Sequence, residues 1–581
     1  MDGGQGSVRR AGEGDPPDRA ETGNSFLVGP TAPRRGTFAE RHPLKGERHW
    51  SREAPAGPWD AIVVGSGMGG LTTAAILSRL GRRVLVLEQH YLPGGFTHAF
   101  SHRGYVWDVG VHVIGEVTPH TVAGRLVEAL TGGRLAWAAL GPVYEEFLFP
   151  DGLRVEFPSD PETFRTRLIE IFPGEAAAID AYLERVRRSV AAQAPRFLAR
   201  ALPARAGWLA ELLLARRARR DHLRTVESVL GEPTADRRLR AVLSAQWGYY
   251  GVPPSRAAFP MQAVVTKHYL HGGYYPVGGA QEIARSLTGT IAEAGGWTRI
   301  AADVESVVIE SGRATGVRLR GGETIGAPRV FLATGVGPAV RRLLPEAERD
   351  KTWARSLAAL EPGPAHVCLY LGFRGDPRRA GATTANRWFY GTYDADSALW
   401  RVDPESEPGA APVLYLSFPS LKDPAHDPGP DELHTGELVT FVPWGAFERW
   451  SGSRWHARGE EYERFKRSLA DRLLSQLFER MPGLEPLLEV AELSTPVSTE
   501  FFCRPLAGSI YGLAPTPERF SNPWLRPRTP VRGLFFSGSD IASGGVMGAM
   551  AGGLLAALSA QPRGTLGLLR RIGARRGVTE R

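Results

Sequence analysis

A glycine-rich turn between two short apolar segments limits what this chain of 581 residues can fold into. Residues 60–64 form an apolar run typical of a buried parallel strand, and the glycine-rich stretch 65–70 follows at once. Residues 71–80 then predict a helix, and residues 83–88 predict a second strand. Strand, helix and strand within about thirty residues form a βαβ unit.

The glycines in this turn have the spacing that a dinucleotide-binding turn requires. Gly65 permits the tight turn, Gly67 lets the backbone approach a pyrophosphate, and Gly70 allows close packing of helix on strand. The free N–H groups at the start of the helix favour phosphate. Glu88 ends the second strand, where a carboxylate accepts hydrogen bonds from a ribose with a free 2′-hydroxyl. The cofactor is therefore of the FAD or NAD type.

Two further segments favour FAD over NAD. Gly94 and Gly95 come soon after the ribose-binding acid and let the chain pass close to a cofactor. Residues 533–537 predict a buried strand, which ends in Gly538 and Asp540 before a glycine-rich helix start. A second helix N-terminus suits the pyrimidine end of a flavin, which becomes anionic on reduction.

Nucleotide-binding elements at the beginning, middle and end of the chain predict an α/β fold in which one domain is discontinuous. We expect a Rossmann-like FAD-binding domain of the glutathione-reductase type with an inserted α+β substrate domain. The FAD-binding domain is predicted at residues 59–150, 270–345 and 500–560, and the substrate domain at 151–269 and 346–499. Residues 1–58 are predicted to be disordered, and residues 561–581 form a basic tail.

Composition excludes several classes of protein. The two cysteines, Cys368 and Cys503, are far apart, which excludes a disulfide framework and a cysteine-based zinc site, and we predict no metal. The net charge of +8 is modest, and no nucleic-acid-binding module accompanies it. Residues 1–58 lack a secretory signal, and residues 546–560 are too short to span a bilayer. We therefore predict a cytoplasmic protein, either free or peripheral on the inner membrane face.

At this point the chain resembles the superfamily of flavin-dependent phytoene desaturases and carotenoid isomerases, and in particular its retinol saturase branch. The first and last of the four matching stretches are shared by the whole superfamily, and the middle two favour the saturase branch. The stretches are residues 60–100, 104–116, 271–283, and 508–513 together with 533–552.

The motifs and the resemblance together imply a set of FAD contacts. One departure is that no arginine follows the glycine pair, as it does in many desaturases of this superfamily. The implied contacts are Gly65, Ser66, Gly67, Gly69, Gly70, Glu88, Gln89, Gly94, Gly95, Phe96, Thr97, Val304, Gly335, Gly538, Asp540, Val546 and Met547.

The resemblance also implies an apolar polyene or lipid substrate, such as a retinoid or carotenoid, and addition or removal of hydrogen across a carbon–carbon double bond. Residues 335–337 lack the third glycine of a second dinucleotide motif, so an external electron donor or acceptor is expected. Cis–trans isomerisation, a non-enzymatic lipid escort and an amine oxidase are the alternatives.

Three residues are candidates for proton transfer. His112 follows the segment around Asp108, and an unperturbed imidazole titrates near neutral pH, which suits a general acid. The alternative is a core histidine bonded to a backbone carbonyl. Glu116 and Tyr274 are further candidates.

Two other groups of residues have both a functional and a structural interpretation. Aromatic residues at 247–250, 269 and 274–275 fit either the wall of an apolar tunnel or ordinary core packing. Arginines and leucines alternate over residues 196–224, which fits either a basic amphipathic segment on an anionic membrane or a solvated helix face.

Overall fold

The computed structural model describes residues 26–27, 48–202, 206–207, 209–210 and 220–574. Two large sheets organise the described part of the chain. Helix Met68–Arg79 packs between the first sheet and helices Gln281–Glu293 and Gly545–Ala560. The other long helices are Val122–Thr131, Pro161–Ile171, Ala176–Ala201, Phe259–Tyr269, Glu460–Arg480 and Pro562–Ala574.

The first sheet is the predicted parallel nucleotide-binding sheet. Its strands are short and apolar, and those at its centre are fully buried, as expected when helices cover both faces. The six strands are, in spatial order, Trp50–Ser51, Trp297–Arg299, Val84–Leu87, Ala61–Val64, Val330–Leu332 and Leu534–Phe536. Strands from the beginning, middle and end of the chain are thus neighbours, which confirms the discontinuous α/β domain.

The second sheet belongs to the substrate domain and is largely antiparallel. One face packs on helix Glu460–Arg480, and the other faces the nucleotide-binding domain. Its eight strands are, in spatial order, Phe26–Leu27, Leu488–Ser494, Ala365–Arg374, Leu433–Val442, Val413–Ser417, Asn386–Tyr390, Val143–Leu148 and Arg154–Pro158.

Two predicted boundaries need correction. Strands Phe26–Leu27 and Trp50–Ser51 lie within residues 1–58, which we expected to be disordered, and each pairs with a strand of a large sheet. Strand Val143–Leu148 lies within the segment 59–150 assigned to the FAD-binding domain, but it pairs with Asn386–Tyr390 in the substrate-domain sheet. The hydrogen-bonded partner of each strand is distant in sequence, so local composition does not reveal its domain.

The apolar segment near the C-terminus is the buried helix Gly545–Ala560, which packs on helix Met68–Arg79. In the described part of the chain, no helix combines the length and apolar character needed to cross a membrane.

Candidate functional site

The first part of the cofactor cradle is the turn between strand Ala61–Val64 and helix Met68–Arg79. Gly65 has a φ of +96°, which favours glycine. A Cβ on Gly70 would lie 2.1 Å from the carbonyl oxygen of Gly65, so the helix packs on the turn as closely as glycine allows. A Cβ on Gly67 would meet no protein atom within 4 Å, although Gly67 lines the cavity described below. Gly67 is thus open on the side where a pyrophosphate would approach.

Glu88 is a buried carboxylate that ties three segments of the cradle together. Its Oε2 accepts hydrogen bonds from the backbone N–H (2.9 Å) and the hydroxyl (2.6 Å) of Ser66, and its Oε1 accepts one from the N–H of His90 (2.8 Å). The Ser66 hydroxyl oxygen also accepts from the N–H of Gly94 at 3.0 Å. Each carboxylate oxygen can accept further bonds, and Glu88 lines the cavity, so it fits the predicted role at a ribose.

The glycine pair after Glu88 brings the chain back against the first turn. Gly94 has a φ of +124° and Gly95 a φ of +57°. A Cβ on Gly95 would lie 3.0 Å from the Cα of Gly67, and Thr97 closes the loop by donating to the Gly94 carbonyl at 2.9 Å.

The C-terminal motif completes the cradle from the opposite side. Oδ2 of Asp540 accepts from the N–H of Val336 at 2.6 Å, and Oδ1 accepts from the N–H of Leu513 at 2.8 Å. Asp540 therefore shapes the site by joining the strand ends. Helix Gly545–Ala560 begins at the cavity with no side-chain cap, so its first N–H groups are free to meet a ligand.

A cavity of about 560 Å³ runs through this cradle. Ser66, Gly70 and Met547 do not line it, but Ser66 and Gly70 shape it through the contacts given above. The predicted contacts that line the cavity are Gly65, Gly67, Gly69, Glu88, Gln89, Gly94, Gly95, Phe96, Thr97, Val304, Gly335, Gly538, Asp540 and Val546. Open glycines, the buried carboxylate of Glu88 and two helix N-termini fit a bound FAD.

The same cavity extends onto the face of the eight-stranded sheet that is turned towards the nucleotide-binding domain, where it becomes apolar and aromatic. Trp388, Tyr415, Val439 and Phe441 line it from adjacent strands. The rings of Trp388 and Tyr415 are 4.6 Å apart, and Tyr249 meets Trp388 edge-on at 5.6 Å. Of the predicted aromatic group, Tyr249 therefore lines the tunnel. The other aromatic residues of this group either belong to the hydrophobic core or pack against it. They are Trp247, Tyr250, Tyr269, Tyr274 and Tyr275.

Two residues further along each of these strands, the same face of the sheet changes from apolar to polar. Ser417 pairs with Glu437, and Asn386 pairs with Glu145 on the next two strands, so these side chains form a buried row. Nζ of Lys422 lies over the row and donates to Ser417 Oγ at 2.7 Å and to Asn386 Oδ1. Sequence reasoning missed this row. The change from Thr435 and Glu437 to Val439 and Phe441 at alternate positions of one strand is the signal that could have revealed it.

His112 lies where the apolar wall meets the polar row. It lines the cavity, and its Nδ1 is 2.6 Å from Oε2 of the fully buried Glu437. Its carbonyl accepts a hydrogen bond from Nζ of Lys422 at 2.8 Å. Burial, with a smaller effect from the Lys422 cation, lowers the pKa of His112 to about 3, so the imidazole is neutral.

Burial also controls the protonation of the neighbouring groups. It raises the pKa of the Glu437 carboxyl well above its usual range, although the Lys422 cation opposes this. It lowers the pKa of Lys422 to about 7 against the opposing effect of Glu437. Burial and the nearby Glu437 raise the pKa of Asp108 to about 7. Lys422 and Asp108 can therefore hold or release a proton near neutral pH beside Glu437.

The two other catalytic candidates lie away from the cavity. Glu116 has a φ of +54° and forms an ion pair with Lys267. Tyr274 is in strand Tyr274–Pro276, which pairs with Trp137–Ala139, and it packs against the core of the nucleotide-binding domain. Neither residue lines the cavity, so we do not assign them to the reaction.

The basic segment at residues 196–224 is only partly within the described residues, and Arg205, Arg216, Arg217 and Arg219 lie outside them. Arg196 and Arg200 are buried, so the predicted solvated or membrane-facing position is wrong for them. Arg200 donates to the carbonyls of Leu525 (2.9 Å) and Phe520 (2.7 Å). These bonds hold helix Ala176–Ala201 against the C-terminal part of the chain.

Residues 68–560 match the family of flavin containing amine oxidoreductases, and the chain belongs to this family. It is an FAD-dependent oxidoreductase. The structure is similar to cyclohexylamine oxidase from Brevibacterium oxydans IH-35A, with a TM-score of 0.55 at 16% identity over 89% of this chain and 100% of that one, which shows the common fold.

Within the family, the chain belongs to the branch that includes the all-trans-retinol 13,14-reductases. It is 33% identical over 520 residues to the human all-trans-retinol 13,14-reductase, covering 85% of this chain and 84% of the relative. It is 29% identical over 489 residues to the phytoene dehydrogenase of Streptomyces griseus, covering 82% and 89%. The predicted superfamily and branch are therefore confirmed.

Proposed function

We propose that the protein adds hydrogen to, or removes it from, a carbon–carbon double bond of an apolar polyene of the retinoid or carotenoid type. The observation that carries this proposal is that the FAD cradle and the aromatic pocket are one continuous cavity. The relatives named for retinol and phytoene support the same class of substrate.

The pocket has the wall that such a substrate needs. A polyene has no groups along its chain that form hydrogen bonds, so it gains binding energy from buried apolar area, about 25 cal/mol for each Å². Trp388, Tyr415 and Phe441 offer flat faces for a conjugated chain. The same residues exclude water from the reacting bond.

When bound, FAD supplies or accepts the hydride of the reaction. The second hydrogen moves as a proton, and His112 is the residue that we assign to this transfer. Because Nδ1 contacts Glu437, the other ring nitrogen, Nε2, is the one that can serve the cavity. In the direction of saturation, Nε2–H donates its proton to the carbon next to the one that receives the hydride.

We infer that an external partner exchanges electrons with the flavin, since the sequence has a single complete dinucleotide fingerprint. We also infer peripheral contact with a membrane. Leu198, Leu202, Leu209 and Leu223 are exposed by 51%, 43%, 50% and 59%. Several exposed leucines in one short stretch of sequence are typical of a surface that meets lipid, from which an apolar substrate would be taken.

The experiment that tests the function is anaerobic mixing of the chemically reduced holoenzyme with all-trans-retinol, a linear carotene and an unsaturated fatty alcohol. We expect the flavin to reoxidise with a polyene and the product to gain two hydrogens by mass spectrometry. Gly67→Ala, which we expect to be poor in flavin, is the matched control. The oxidised holoenzyme is mixed with the same compounds to test the reverse direction. A product of unchanged mass would replace this proposal with isomerisation, and no reaction of either form with any polyene would refute it.

A further inference from the structure

A second cavity lies next to the strand that carries Glu437, and Thr435 of that strand lines it. It measures about 40 Å³, which is enough for one or more water molecules, and polar side chains such as Ser420 and Asp423 are part of its mixed lining. Gly279, Gln281 and Asp423 on its rim are partly exposed, so it reaches towards the surface. Its inner lining includes Asp108 and Thr435.

Glu437 sits between the two cavities. On one face of strand Leu433–Val442, Thr435 lines the second cavity and Val439 lines the first, and Glu437 is the residue between them. The segment 108–112 shows the same order, because Asp108 lines the second cavity and His112 lines the first. The carboxyl group of Glu437 lines neither cavity and is fully buried in the wall between them, where His112 contacts it.

The contact between His112 and Glu437 requires a proton. At 2.6 Å, the lone pairs of Nδ1 and Oε2 would repel each other unless a proton lies between them, although the angles of this contact are not those of a hydrogen bond. The buried carboxyl is the group that holds this proton, because burial favours its neutral form and keeps the imidazole neutral as well.

A neutral imidazole is by itself a very weak acid. If Nε2–H alone gave up its proton, an imidazolate would remain in an apolar site, at a high cost in free energy. The cost disappears if another proton reaches Nδ1 in the same step.

We propose that Glu437, with Asp108 behind it, delivers protons from the second cavity to Nδ1 of His112 as Nε2 protonates the substrate. This proposal rests on the proposed function and adds the path of the proton. The Nε2–H bond breaks as the new C–H bond forms, and the electron pair of the double bond takes up the proton while the hydride reaches the other carbon. The O–H bond of Glu437 breaks as Nδ1–H forms. The Glu437 carboxylate then regains a proton from Asp108, and Asp108 regains one from solvent.

Asp108 lines the second cavity and is close enough to Glu437 for the two carboxyl groups to influence each other's charge. Its Oδ1 accepts a hydrogen bond from the N–H of Ala280 at 3.0 Å, and its Oδ2 accepts one from the hydroxyl of Tyr275. The titratable groups that face Glu437 from the surrounding elements are His112, Lys422, Asp108, Tyr275, Tyr370 and Cys368.

Glu437→Gln tests the relay, because glutamine keeps the size of the side chain but cannot release a proton. In a single turnover of reduced enzyme with a polyene that the wild type accepts, we expect flavin reoxidation to slow by about 10²- to 10⁴-fold, the usual contribution of general acid catalysis. Flavin content should stay unchanged. Glu146→Gln is the matched control, since Glu146 is a buried carboxylate three strands away in the same sheet, where it pairs with Arg387.

The pH profile separates proton delivery from mere positioning. The wild-type rate should fall as pH rises through the elevated pKa of Glu437, and this alkaline decline should be absent in Glu437→Gln. Asp108→Asn should leave the first turnover fast and slow the later ones. Multiple turnover at the wild-type rate in Asp108→Asn would remove Asp108 from the path.

A measurement on the wild type covers the case in which a variant fails to fold. Single-turnover rates in mixtures of H₂O and D₂O should curve with the deuterium fraction, because two protons move together. A linear dependence, or a Glu437→Gln rate and pH profile equal to wild type, would overturn the relay while leaving the proposed function intact. A wild-type enzyme that reacts with no polyene would overturn both.

Discussion

Replacing Gly67 with alanine separates what the cofactor requires from what the fold requires. The φ of Gly67 is −61°, which any residue adopts, and the new Cβ would meet no protein atom within 4 Å. We therefore expect the free energy of unfolding of the apoprotein to change by less than about 0.5 kcal/mol. The methyl group would instead point into the space of the pyrophosphate.

The cost to FAD follows from the bonds that the pyrophosphate would lose. A hydrogen bond to a charged group is worth about 1.5–3 kcal/mol, so displacing one weakens FAD binding by roughly 10- to 100-fold. Gly70→Ala is the contrasting variant, because it should lower the stability of the fold. Its Cβ would lie 2.1 Å from the Gly65 carbonyl oxygen, and relieving such overlap costs about 1–3 kcal/mol of stability.

The assay is urea unfolding of both apoproteins, together with titration of FAD followed by the quenching of its fluorescence. Gly67→Ala should unfold like the wild type and bind FAD weakly, and Gly70→Ala should unfold at lower urea. If Gly67→Ala lost more than about 1 kcal/mol of stability, or bound FAD as tightly as the wild type, the cradle would not lie where we place it.

Three further predictions concern the reaction, pH and the membrane. His112→Gln should keep its flavin and slow its single-turnover reoxidation by at least about 10²-fold, and a rate within a factor of about two of wild type would exclude His112 as the proton donor. Burial raises the pKa of Glu145 from 4.5 to about 7. Between these two pH values, the Glu145 carboxyl is protonated in the folded state and ionised in the unfolded chain. Urea titrations should show stability falling as pH rises through this window, by up to about 1.4 kcal/mol per pH unit for this group, and Glu145→Gln should flatten the decline. Replacing Leu198 and Leu202 with serine should reduce sedimentation with anionic vesicles, whereas equal sedimentation would refute this contact.

The cofactor cradle could be predicted from sequence because its requirements are local. Gly65, Gly67 and Gly70 are within six positions of one another, and each is required by the conformation or packing of the same turn. The C-terminal motif with Asp540 is equally compact. Its role is less local, since the partners of Asp540 are backbone groups of Val336 and Leu513.

The polar row could not be predicted in this way, because it exists only through strand register. Glu437 meets His112 from a segment more than three hundred residues away in sequence. A glutamate at an alternate position of a strand is typical of a solvent-facing side chain, and only the second domain packed on this face makes it buried. Glu116 illustrates the converse, because it is near His112 in sequence yet pairs with Lys267 outside the cavity.

Arg200 was misinterpreted for the same reason. An arginine among leucines predicts an amphipathic surface helix, but the carbonyls of Phe520 and Leu525 need a donor that only a long cationic side chain from this helix provides. The leucines Leu198 and Leu202 are therefore turned outward and the arginine inward.

The packing of helix Gly545–Ala560 on helix Met68–Arg79 has a consequence for biosynthesis. A Cβ on Gly553 would lie 2.5 Å from the Gly69 carbonyl oxygen, so the two helices touch backbone to backbone although almost the whole chain separates them. At about 5–20 residues per second, a ribosome needs roughly half a minute or more to add the second helix after the first. Until then, the apolar surface of the first helix lacks one of its partners and is open to chaperones. The nascent chain therefore cannot acquire its flavin before translation is nearly complete, and a truncated product lacking the last forty residues would emerge colourless.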